Sequence, residues 1–143
     1  MSSESISVQI ENADFPEVIQ PLLQSVARMP FDFSLKSSVE IQTEIAELTC
    51  KELCGGEVAD KAMADCCRSG LLLLHGNLHE SHEISQSNHS PVGSYWHGLM
   101  HRAEGDFWNS KYWYSKAGAN HPVAKKMREH DSIWSGESFV DKV

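Results

Sequence analysis

The chain has 143 residues, enough for one domain with a real core, and its apolar (41%) and charged (22%) contents are those of ordinary soluble proteins. Its net charge of −8 argues against nucleic acid or an anionic membrane surface as partner, because phosphate binding is driven by Lys and Arg. The longest apolar run, Leu71 to Leu74, is far too short to span a bilayer.

The opening residues, Met-Ser-Ser-Glu-Ser, show neither a basic region nor an apolar core, so no secretory signal is expected and the expected location is cytoplasmic. Four cysteines, Cys50, Cys54, Cys66 and Cys67, lack the C-x-x-C spacing of zinc sites and are expected as buried free thiols. Residues 1–13 read as an extended segment, and residues 14–67 as the N-terminal helices. In the first of these Asp14 caps the start, Pro16 sits in the first turn, and Pro21 kinks the helix or delays its onset. Val18, Leu22, Val26 and Met29 recur at helical spacing, and Pro30 ends the run. Phe31 and Phe33 are expected to plug the core from the following connector.

Ser37-Ser38-Val39-Glu40 fits a capping box, followed by a buried stripe of Ile41, Ile45 and Leu48 that runs to Gly55-Gly56. A third helix is predicted to begin near Glu57 and to carry Ala59, Met63, Cys66 and Cys67. Periodicity leaves open whether it continues through Gly70 to Leu74.

Residues 68–122 contain an internal repeat. A shift of 29 residues lays Gly76-Asn77-Leu78 on Gly105-Asp106-Phe107 and Ser81 on Ser110. Each copy has a helix, a Gly-Asn or Gly-Asp turn, and a second helix, with His and Pro near its end (His89-Ser90-Pro91 and His121-Pro122). The second copy resembles tetratricopeptide or Sel1-like repeats: Gly98, Ser110, Tyr114, Ala117 and Pro122 fill the expected places. The first copy matches at Gly76, Leu78 and Ser81 but has Ser85 where an aromatic is expected. The resemblance implies two antiparallel helical hairpins in which a small residue lets the helices approach and an aromatic fills the gap. The wording Ser-Tyr-Trp-His-Gly-Leu-Met-His-Arg is also similar to a family of short uncharacterised proteins, which implies no mechanism. The expected fold is all-α, a single compact domain of about five to seven helices, with residues 123–143 as a C-terminal tail that Trp134 anchors.

Candidate chemistry concentrates in the same segment. His97 and His101 are four apart and project from one helix face, and Glu104 continues that face. Two histidines and a carboxylate form a candidate divalent-metal set, zinc for instance, with a position left open. His79 and His82 are weaker candidates to complete it. The segment is not His-Glu-x-x-His, so no metalloprotease base is built in. A hydrogen-bonded structural network of the same histidines is the competing reading. A third is a metal-free pocket for a small polar or anionic molecule, with Trp96 as wall and Arg102, Asp106 and Lys111 as polar partners. In either site reading His97, His101 and Glu104 are also the candidate catalytic groups. The alternative to a site is a non-catalytic interaction module of the tetratricopeptide kind, which takes a peptide or protein partner. Trp113 is expected to pack in the core, and Trp96 and Trp108 to line an opening. Lys125-Lys126-Met127-Arg128 reads as a solvated helix face.

Overall fold

The computed structural model describes residues 15–26 and 36–125. It is all-α: Gln20–Val26 (α1), Val39–Glu47 (α2), Cys50–Cys54 (α3), Lys61–Leu74 (α4), Leu78–Gln86 (α5), Pro91–Ala103 (α6) and Phe107–Ala117 (α7). Helical backbone resumes at residues 122–125. None of the described helices is long and apolar enough to cross a membrane. The expectations for residues 1–14, Met29 to Phe33, Lys126 to Arg128 and Trp134 lie outside the described residues. The chain divides into two compact units, Met1–Asn77 and Leu78–Val143.

In the first unit α4 packs against α1, α2 and α3. Its core is Leu22, Ile45, Leu53, Ala64, Cys66 and the run Leu71 to Leu73. Pro21 occupies the first turn of α1, where its missing N–H costs no intrahelical bond, so the helix starts late and is not kinked. Ser38, not Ser37, caps α2 by accepting from the Ile41 N–H at 3.4 Å. The helix expected to run on to Gly55 instead breaks at Leu48. There a genuine capping box opens α3: Thr49 Oγ1 accepts from the Glu52 N–H (3.2 Å), and the Glu52 carboxylate accepts from the Thr49 N–H (2.7 Å). The Thr49 hydroxyl, donating to the Glu52 carboxylate at 2.7 Å, and the Thr49 N–H hold that carboxyl below its usual range. Arg68 of α4 donates to the carbonyls of Ile45 (3.1 Å) and Ala46 (2.9 Å), satisfying the C-terminal end of α2.

Gly55 ends α3 with φ of 68°, a left-handed conformation that glycine adopts without penalty. Asp60 then caps α4, later than the start expected near Glu57, and α4 runs unbroken through Gly70 to Leu74. Of the four thiols, Cys66 is buried, and burial pushes its pKa up to about 11. Cys54 and Cys67 are exposed and Cys50 is half-buried, against the expectation of four buried thiols.

His75, fully buried at the C-terminal end of α4, ties this unit together. Its Nε2 donates to the Leu22 carbonyl at 3.1 Å, and its Nδ1 accepts from the Ser37 hydroxyl at 2.6 Å. A carbonyl can only accept, so the ring is the neutral Nε2–H tautomer. Burial lowers its pKa accordingly.

In the second unit α6 packs against α5 on one side and α7 on the other. The close approach of α6 and α7 depends on Gly98. A Cβ there would lie 3.0 Å from Tyr114 Cδ1 and 3.3 Å from the Ser110 carbonyl oxygen. The buried Tyr114 ring thus fills the space a side chain at position 98 would need.

The 29-residue shift is legible in the backbone. The turns after α4 and α6 place glycine at positive φ, 79° for Gly76 and 85° for Gly105. Both close with the same pair of bonds: Asn77 N–H to Leu72 O and Gly76 N–H to Leu73 O, then Asp106 N–H to His101 O and Gly105 N–H to Arg102 O. This is the Schellman geometry that releases a chain from one helix into the next.

Candidate metal centre

The inner faces of α5 and α6 set the site. On α5, Ser81 and Ser85 are buried and His82 is half-buried, whereas His79 and Glu83 are exposed. One face of α5 therefore turns His82 towards α6 and leaves His79 in solvent. On α6, His97 and His101 are four apart, as an inward stripe requires, and are 3% and 9% exposed.

These three imidazoles form one cluster. The rings of His97 and His101 stack with centroids 4.8 Å apart at 21°. His82 meets both edge-on, at 4.8 Å from His97 and 5.3 Å from His101. One ring nitrogen from each histidine lies within 4.8 Å of those of the other two. Nitrogens on a tetrahedral zinc with Zn–N near 2.0–2.1 Å stand roughly 3.4 Å apart, so small ring rotations close the set.

Glu104 follows α6 as its C-terminal cap residue, and its Oε1 lies 2.7 Å from His101 Nδ1. The carboxylate accepts from Nδ1–H, which leaves Nε2 with its lone pair free to bind a metal. The sequence suggested Glu104 as a ligand; its carboxylate is hydrogen-bonded to His101 and also lies within 4.8 Å of the donor atoms of His101 and Asp106.

His97 is the most constrained ring. The Trp113 indole of α7 stacks on it at 3.9 Å and 20°, and its Nδ1 is buried with no hydrogen-bond partner among the described residues. Burial first, then the neighbouring His101, His82 and His89, pushes its pKa down to about 4. The ring is neutral at pH 7, the state a metal ligand needs. An orphaned buried nitrogen costs free energy unless something satisfies it, and a bound cation does so. The donor set fits zinc, copper or nickel in preference to calcium or magnesium, which take oxygen ligands.

The other predicted site residues are dispersed. Asp106 caps α7, accepting from the Asn109 N–H (3.2 Å) and Nδ2 (2.7 Å), and these bonds lower its pKa. Its carboxylate lies within 4.8 Å of the donor atoms of His101 and Glu104. Arg102 is exposed, and its charge acts on the Tyr114 hydroxyl. Lys111 is exposed on α7. Trp96 packs its edge on Tyr95 at 5.5 Å, and Trp108 is 84% exposed. The tryptophan that meets the histidines is Trp113, which the sequence assigned to core packing. His82 was underweighted in the sequence, although Ser81 and Ser85 on its face and Glu83 opposite already distinguish it from His79. Tyr95 stacks on the buried His121 at 4.7 Å and 10°.

Searches against protein-family models, curated proteins and solved structures find no match to this chain.

Proposed function

We propose that His82, His97 and His101 bind one divalent transition metal, zinc being the best suited, and that a fourth position stays open to water or a small anionic ligand. The observation that carries this reading is the convergence of three imidazoles, with a carboxylate hydrogen-bonded to one of them. Three protein nitrogens plus an open position is the arrangement of catalytic rather than structural zinc sites. A metal there supplies Lewis acidity and lowers the pKa of bound water. Trp113 covers one face of His97 and keeps water from it. The test is metal content by mass spectrometry on gently purified, untagged protein. Stoichiometric metal is expected, lost in His82→Ala and in His97→Ala/His101→Ala but retained in His79→Ala. Equal metal in all these proteins, or none in any, overturns it.

A second reading rests on the packing of Gly98 against Tyr114 and Ser110, the pattern shared with tetratricopeptide-like repeats. In it the chain is an interaction module for a peptide or protein, and the histidines form a structural network. The same histidine substitutions then lower the melting temperature without any metal being lost.

A further inference from the structure

A second cavity opens in the Leu78–Val143 unit, and we propose that it binds a small planar organic anion of the aromatic carboxylate class. It measures about 370 Å³ and is lined by His89, Ser94, Tyr112, Trp113 and Lys116. That size suits a single substituted ring.

Its walls select the ligand. Tyr112 and Trp113 stand at 82° with centroids 5.3 Å apart, so a flat ring stacked on one presents its edge to the other. The Lys116 ammonium lies over the Tyr112 ring, 5.0 Å from its centroid, and lines the same cavity. Lys116 lines the cavity, and no carboxylate does so among the described residues. In a chain of net charge −8 this is a local cationic site, and it repels a cation while attracting a carboxylate. Ser94, 2% exposed on α6, adds a hydroxyl donor, and His89 adds an imidazole from the α5–α6 connection. The cavity shares Trp113 with the histidine cluster, but its ligand contacts do not require a metal.

The experiment titrates the full chain, with and without EDTA, against benzoate, benzylammonium, cyclohexanecarboxylate and inorganic phosphate, read by protein NMR shifts. Benzoate is expected to saturate at one equivalent in both conditions, ahead of cyclohexanecarboxylate, with benzylammonium and phosphate far weaker. Lys116→Gln, an exposed position, is expected to weaken benzoate about tenfold, and Tyr112→Leu to erase the preference for an aromatic ring. Benzylammonium or phosphate matching benzoate, no benzoate binding, or an unchanged affinity in Lys116→Gln overturns the proposal. Benzoate binding only without EDTA transfers the anion to the metal and also overturns it.

Discussion

The Glu104 carboxylate lies 2.7 Å from Nδ1 of His101, fixing that ring with Nε2 free. Glu104 is more exposed than the ring it orients, so its contribution is positional rather than a large term in stability. Glu104→Ala is therefore expected to keep the fold and to weaken zinc roughly 10–100-fold, measured by competition with a chromophoric chelator. Affinity equal to that of the parent protein would remove Glu104 from the site.

His97 gives the metal-free protein an acid weakness. Its pKa falls from 6.5 in the unfolded chain to about 4 in the fold, so the unfolded state takes up the proton first. Stability is fully present above pH 6.5, declines as pH falls through the interval, and levels off below about 4. The loss is roughly 3 kcal/mol, taken from the shift at 1.36 kcal/mol per unit. Urea midpoints between pH 7 and 4 measure it. His75 titrates in the same direction, so the His97→Leu variant is the comparison that isolates His97: its profile is expected to be flatter.

Gly98→Ala should force α6 and α7 apart, because the new Cβ meets the Tyr114 ring at 3.0 Å. Overpacking of this kind costs about 1–3 kcal/mol, partly offset by about 1 kcal/mol of helix propensity. A lowered melting temperature, partly restored by adding Tyr114→Leu, is the expected result. An unchanged melting temperature would mean the helices are not held at this distance.

His75→Leu strands the Ser37 hydroxyl and deletes one buried and one part-buried hydrogen bond. A loss of about 1–3 kcal/mol is expected in denaturant titration. Metal stoichiometry should be untouched, because His75 and the three clustered histidines belong to different units. Loss of metal in this variant would contradict that separation.

The helices and their turns were legible because their signals are local. Gly76, Gly105 and Asp106 act through their own backbone neighbourhood, so spacing reveals them, whereas the start of α4 was placed near Glu57 and lies after Asp60. The capping box was misread for the same reason: Ser37–Glu40 and Thr49–Glu52 carry the same pattern, and only the folded chain shows which residue leaves the helix. The pair His97 and His101 followed from helical spacing. His82 and Trp113 did not, because they reach the pair from other helices, and which face of α5 or α7 turns inward is a matter of packing. Glu104 illustrates a finer limit. Its place three residues after His101 brings it near the ring, but whether it binds a metal or a ring N–H depends on side-chain geometry.

X-ray absorption on the zinc-loaded protein tests the metal centre most directly. Three imidazole nitrogens at about 2.0–2.1 Å with one further light ligand are expected, and the imidazole signal should drop in His82→Ala. A shell of six oxygens, thiolate sulfur at about 2.3 Å, or a spectrum that His82→Ala leaves unchanged would contradict a three-histidine site.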